Sequence, residues 1–284
     1  MKIARIRKGS SKSYGVIHGD SVLSREELAK QLNAKLPDTI DEFLFGNWLD
    51  KIRNAKLTFS GKLDQYKLLS PIPNPPKIIC LGYNYLDHAK EQGAKPPEEP
   101  VIFMKPRTAL IGTDDSIVCP KFVTQLDYEG ELAFVIGKEC KNVQQEDAMD
   151  NVFGYMVFND VSARDIQFKE SQWTRSKSFD TFAPCGPWIT TKDEVKDPHN
   201  LTIVTKVNGE VRQNSSTKNM ALKIDRIVAS LSKVMTLEKG DIVATGTPSG
   251  VAVFMTQPKF LNHGDVVEVE IENLGNIRNN VVFV

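Results

Sequence analysis

The 284-residue chain has little cysteine: Cys80, Cys119, Cys140 and Cys185 lie far apart and form no CxxC pair. Neither a disulfide framework nor a thiolate zinc site suits that spacing, so the thiols, all in or beside apolar runs, are expected to be buried structural groups. The chain has no excess charge of either sign, with 36 Lys and Arg against 36 Asp and Glu. That excludes the broad basic field of a nucleic-acid protein, but not a small charged pocket. No apolar run approaches the roughly 20 residues of a membrane helix. The opening MKIARIRKGSSKSYGVIHGD is basic but lacks the apolar stretch of a secretory signal. The expectation is a cytoplasmic protein with a small-molecule partner, and with neither nucleic acid nor membrane as partner.

What the chain does have is many strand-like segments. KIARIRK and YGVIHG alternate as strands, and SREELAKQLNAK and TIDEFLFGNWLDKIRNA follow with apolar residues at helical spacing. Ser24 is the candidate N-cap of the first helix, with Glu27 three residues on as its capping-box partner. PIPNPP, carrying Pro71, Pro73, Pro75 and Pro76, can neither continue a helix nor join a central strand. It divides a small N-terminal α/β unit, residues 1–70, from residues 71–284. Beyond it KIICLG, LDYEGELAFVIGK, GYMVFND, DIVATGTPSGVAVF, DVVEVEIENLG and NIRNNVVFV read as strands. NYLDHAKEQG and IDRIVASLSKVM read as helices, and Asn208-Gly209 inside LTIVTKVNGEVRQ marks a hairpin. Strands outnumber helices without regular interleaving, so the fold class is a β-rich α+β fold rather than a doubly wound sheet.

Several positions carry candidate chemistry. Side chains alternate along a strand, so Tyr128, Leu132 and Phe134 share one face, while Glu129 and Glu131 share the other, about 7 Å apart at the backbone. Two buried neighbouring carboxylates repel unless a cation or proton sits between them, and a hard divalent ion suits oxygen ligands. A solvated face is the alternative. Asp160, ending GYMVFND, could complete an oxygen triad or cap the helix that follows. His88 and Glu91 lie three apart on a helix, where a carboxylate fixes the imidazole tautomer and raises its basicity; a chance surface pair is the alternative. Lys177, in the polar-aromatic KSFDTFAP, could stabilise a developing oxyanion or simply face solvent. Thr245-Gly246-Thr247-Pro248-Ser249-Gly250 has neither the GK[ST] of a phosphate-binding loop nor GxSxG. Its N–H groups and hydroxyls could still meet a carboxylate, or it could be a plain turn.

Taken together, GYNYLDHAKE, DYEGELAFVIGK, GYMVFNDVSARDIQ, KSFDTFAPCGPWI, KVNGEVRQ and DIVATGTPSGVAVF resemble the fumarylacetoacetate hydrolase family, in that family's order, over roughly residues 71–284. VAVFMTQPKFLNHGDVVEVEIENLG is similar to the family's domain-containing-protein-2 subgroup. The resemblance implies a mixed β-sandwich roll and a homodimer. It implies Glu129, Glu131 and Asp160 as ligands of Mg²⁺ or Mn²⁺, and His88 with Glu91 as a water-activating dyad on a lid-like helix. It implies Lys177, Gln167, Thr247 and Tyr83 as substrate contacts, with Thr181 near the metal. One departure stands out: Leu81 occupies the place of an acidic metal-site residue in the parent hydrolase. The expected enzyme is metal-dependent and acts on 2-oxo acids through an enolate. Hydrolysis of an acylpyruvate- or fumarylpyruvate-type substrate is the first reading. Oxaloacetate tautomerisation or decarboxylation, or 2-hydroxyhepta-2,4-diene-1,7-dioate isomerase-type activity, is the alternative; a non-catalytic family member is a further one. With Lys177, a divalent ion and the three carboxylates would sum to neutrality.

Overall fold

The computed structural model describes residues 1–284. One large mixed sheet crosses the molecule. From one edge its strands are Gly61–Lys62, Ser21–Ser24, Ser11–His18, Lys2–Lys8, Ala183–Thr191, Val152–Asn159, Gly130–Ile136, Ile242–Ala244, Ile78–Gly82 and Val101–Met104. Lys2–Lys8 pairs antiparallel with Ala183–Thr191, so the N-terminal strands continue the same sheet that carries the carboxylates. A second sheet of five strands runs Glu210–Ser216, Thr202–Val207, Val266–Ile271, Gly275–Phe283 and Ile117–Cys119. The architecture is β-rich α+β, as the strand count in the sequence implies. No helix is long and apolar enough to cross a membrane.

Gly130–Ile136 shows how the sequence pattern builds two cores. Leu132, Phe134 and Ile136 point into the apolar layer between the sheets, against Ile203, Val269 and Ile277. Ala133 and Val135 point the other way, into the layer closed by Leu28, Phe43 and Ile52 of the N-terminal helices. Period-two alternation thus serves both faces, and burial of each large side chain contributes about 1.5–3 kcal/mol. Asn208 and Gly209 turn the Thr202–Val207/Glu210–Ser216 hairpin with φ of 52° and 80°, the left-handed pair a two-residue turn requires. Ser24 and Glu27 form the expected capping box on the helix Arg25–Gln31.

Three local expectations are corrected. TIDEFLFGNWLDKIRNA is two helices, Ile40–Phe45 and Trp48–Arg53, because the chain turns extended at Gly46. LDYEGELAFVIGK is not one strand: Leu126–Asp127 pairs Ser162–Ala163, and the main strand begins only at Gly130. Between them the Glu129 N–H is taken by the Asn159 Oδ1 at 3.0 Å. DIVATGTPSGVAVF is strand only over Ile242–Ala244, since the loop that follows directs its N–H groups to carboxylates. Cys80, Cys119 and Cys185 are buried and Cys140 is half-buried; all four are free.

Candidate active site

Adjacent strands assemble a carboxylate cluster. Gly130 pairs with Asn159, and the Asp160 N–H donates to the Glu129 carbonyl at 2.8 Å. This register places Glu129, Glu131 and Asp160 together, all buried, with ligand oxygens within 4.8 Å of one another. The solvated-face reading of Glu129 and Glu131 is therefore excluded. Asp160 does not cap the following helix, whose N-cap Ala163 has no side-chain hydrogen bond.

Cations surround two of the three carboxylates. Lys177 Nζ donates to Glu129 Oε2 at 2.8 Å and to Asp160 Oδ2 at 2.7 Å. Lys105 Nζ binds Asp160 Oδ1 and the Val161 carbonyl. Arg164 pairs with Glu129 Oε1 at 2.6 Å through Nη1, and its Nε donates to Asp127 Oδ2 at 2.9 Å. Glu131 makes no ion pair and accepts one hydrogen bond, from the Gly246 N–H at 2.9 Å. Counting Asp127, four buried carboxylates face three cations, so one negative charge is unmatched.

The proton affinities follow from this asymmetry. Burial, then the charges of Asp160 and Glu129, push the Glu131 carboxyl well above the usual carboxylate range. Burial acts on Glu129 in the same sense, but the Lys177 and Arg164 cations outweigh it and hold that carboxyl below the usual range. Burial opposes the charge on Lys177, yet Asp160 and Glu129 overcome it and raise its proton affinity.

Above the cluster lies a cavity of about 190 Å³, lined among others by Tyr83, His88, Glu129, Gln167, Lys177 and Thr247. This is below the roughly 300–1,000 Å³ typical of drug-sized ligands. His88, on the helix Leu86–Glu91, has Nδ1 3.1 Å from Glu91 Oε2 and Nε2 2.6 Å from the Gln92 amide nitrogen. Those partners assign the tautomer: Nδ1–H donates to Glu91 and Nε2 accepts. The helix is held at both ends. Asp87 accepts from the His88 N–H and from the Ser215 hydroxyl, while Glu91 Oε1 accepts the Gly250 N–H at 3.1 Å.

The remaining sequence candidates divide. Gln167 accepts a hydrogen bond from Arg164 at 2.8 Å on one face of a short helix. Tyr83 stands at φ 59°, a left-handed conformation unfavourable for a bulky residue. The Thr247 hydroxyl is already engaged, donating to the Gly130 carbonyl at 2.9 Å and accepting from Gln213 at 2.7 Å. The loop's N–H groups do meet carboxylates, but those of the protein itself, Glu131 and Glu91. Thr181 does not line the cavity; its hydroxyl binds the Val118 N–H at 2.7 Å. Leu81 is buried and lines the cavity with an apolar side chain. Sequence reasoning missed Lys105, Asp127, Arg164, Phe103 and Trp173. Only Arg164 left a signal, three residues before Gln167 and so on its helix face.

The family profile described as "Fumarylacetoacetate (FAA) hydrolase C-terminal" matches residues 77–282. The chain is 52% identical over 217 residues to the oxaloacetate tautomerase fahd2, mitochondrial, of Xenopus laevis, covering 76% of this chain and 68% of that one. It is 45% identical over 238 residues to the oxaloacetate tautomerase YisK of Bacillus subtilis, covering 82% and 79%. Among solved structures, 5-carboxymethyl-2-hydroxymuconate delta-isomerase from Mycobacterium smegmatis superposes with a TM-score of 0.80 at 37% identity, over the full length of both chains. With the profile spanning most of its length and relatives near half identity, this chain belongs to the fumarylacetoacetate hydrolase family of enzymes.

Proposed function

We propose that this enzyme interconverts the keto and enol forms of oxaloacetate, with a divalent cation as cofactor. The observation that carries the reading is the convergence of a base, His88, and two cations, Lys177 and Arg164, on one small cavity. The oxaloacetate tautomerases among its relatives support the same reaction over the acylpyruvate hydrolysis that the sequence put first.

The donor set fits a hard divalent ion. Glu129, Glu131 and Asp160 offer only oxygen, one negative charge is unmatched, and Glu131 has no cation partner. These three residues would hold Mg²⁺ or Mn²⁺. Once bound, the ion would supply Lewis-acid stabilisation of negative charge on the substrate's oxygens.

Tautomerisation breaks one C–H bond beside the carbonyl and forms one O–H bond on the carbonyl oxygen, with no water consumed. In this reading His88 Nε2 takes the carbon-bound proton as substrate displaces the Gln92 amide, Glu91 steadies the imidazolium through Nδ1–H, and the imidazolium then gives that proton to the enolate oxygen. Two of the three Lys177 N–H groups serve Glu129 and Asp160, which leaves one for the developing oxyanion. Arg164 Nη2 is buried without a protein partner and supplies a charged donor for a substrate carboxylate. Gln167 and Tyr83 complete the wall, and Thr247 contributes shape, since its hydroxyl is committed.

The test follows loss of enol absorbance in freshly dissolved oxaloacetate, with Mg²⁺, with Mn²⁺ and with EDTA. Carbon dioxide release and acylpyruvate cleavage are measured in parallel. Cation-dependent enol–keto exchange exceeding both other reactions is expected. An exchange rate equal to that of buffer alone would overturn the reading. A cytoplasmic homodimer belongs to the same proposal; light scattering should return twice the 31.8 kDa chain mass.

A further inference from the structure

Gly82 ends the strand Ile78–Gly82 and lines the cavity next to Tyr83. No side chain fits there. A Cβ on Gly82 would lie 2.2 Å from Cζ3 and 2.7 Å from Cη2 of Trp173, so the indole rests directly on this backbone. Glycine is required by that close approach. Trp173 meets Tyr83 edge-on with centroids 5.1 Å apart, and meets Phe103 edge-on at 5.7 Å. The Phe103 ring in turn lies 4.8 Å from Lys177 Nζ. A row of contacts therefore leads from the cation at the reactive end, through one aromatic ring, to Trp173.

The segment carrying Trp173 joins Arg164 and Gln167 at one end to Lys177 at the other. Phe168, Lys169, Ser171, Gln172, Thr174 and Arg175 are exposed, while the Trp173 ring turns inward. The Trp173 carbonyl is pinned by the Ser176 hydroxyl at 2.7 Å, and an ion pair between Glu170 and Arg175 ties the loop across it. The indole is thus a fixed wall rather than a loose surface group. In a cavity of about 190 Å³ it is also the side chain whose removal would release the most volume.

We propose that Trp173, seated on Gly82, sets the chain length of the 2-oxo acid this enzyme accepts. On this proposal the cations hold one end of a four-carbon diacid, the indole bounds the other, and each added carbon there would meet the ring. The inference rests on the function proposed above for the reactive end, and adds what bounds the opposite end. Discrimination by one methylene in a closed pocket is about 10–200-fold.

The experiment is calorimetric binding of oxaloacetate, 2-oxoglutarate and 2-oxoadipate to the Mg²⁺-loaded protein, for wild type, Trp173→Ala and Trp173→Phe. Oxaloacetate tautomerisation is measured alongside, and circular dichroism reports the fold. Wild type should favour the four-carbon over the six-carbon acid by at least about tenfold. Trp173→Ala should reduce that ratio at least about tenfold, with Trp173→Phe intermediate. An equal ratio in all three proteins would overturn the proposal even if oxaloacetate is tautomerised. A ratio that collapses in Trp173→Ala supports the wall even if wild type fails to tautomerise oxaloacetate, in which case only the reaction assigned above falls.

Discussion

Gly246 donates its backbone N–H to Glu131 Oε2 at 2.9 Å, and this is the one hydrogen bond Glu131 accepts from the protein. Glu129 and Asp160 each have lysine or arginine partners; Glu131 has only this amide. Glu131→Gln should keep that hydrogen bond while removing the unmatched charge. Loss of an outer partner weakens metal sites roughly 10–100-fold, so loss of a direct ligand should cost at least that much Mg²⁺ affinity. In EDTA the same variant should unfold at a temperature equal to or above that of wild type, because one buried repulsion is gone. Calorimetric titration and thermal unfolding read the two effects, and unchanged Mg²⁺ affinity would remove Glu131 from the metal site.

His88 and Glu91 touch neither a carboxylate of the cluster nor its lysines, so base and metal functions should separate. His88→Ala should lower kcat about 10²–10⁴-fold, the usual contribution of a positioned base, while Mg²⁺ affinity stays as in wild type. Glu91→Gln should give a smaller fall, since Nδ1–H keeps an acceptor but the imidazolium loses its counter-charge. Steady-state kinetics with parallel Mg²⁺ titration checks both. A His88→Ala enzyme of wild-type kcat would remove His88 as the base.

The parts of the site that the sequence made legible share a physical property: their signal is local. Glu129 and Glu131 stand out because alternation sets both on the face opposite Leu132 and Phe134, and His88 with Glu91 because three residues span one helix face. Lys105 gave no such signal. It follows the strand Val101–Met104, and only the pairing of that strand with Ile78–Gly82 brings its ammonium under Asp160. Arg164 showed only its place on the Gln167 face of SARDIQ, because its partner Asp127, which accepts from its Nε, lies thirty-seven positions earlier. Trp173, in a loop, needed the bare glycine that ends the strand Ile78–Gly82 to rest on. Long-range partners of this kind leave no periodic trace in the chain.

Lys105→Met should test whether the second lysine is structural. Its ammonium is buried against Asp160 and the Val161 carbonyl, and methionine retains most of its volume. Breaking a buried pair typically destabilises by about 3–5 kcal/mol; Asp160 keeps Lys177, so the lower end is expected, near 3 kcal/mol. Urea unfolding in EDTA reads this directly. An unchanged midpoint would mean that Lys105 contributes no net stability.

A pH effect should arise far from the cavity, at His199. Its Nε2 accepts the N–H of Ile224 at 3.1 Å, one of the unpaired donors at the start of the helix Ile224–Val234. Only the neutral imidazole can accept there. Burial, then the charge on Lys223, lower the His199 proton affinity below its ordinary value, with Asp197 and Asp225 opposing. The folded pKa is thus below the unfolded one, about 6.5. The stability this group contributes is fully present above that unfolded value and is lost as pH falls through it towards the folded pKa. His199→Gln offers an acceptor at similar reach that does not titrate, so its unfolding free energy should fall less steeply than that of wild type as pH drops from about 7 towards 5. Urea denaturation across that range compares the two slopes, and parallel curves would show that the Ile224 N–H does not depend on the neutral form of His199.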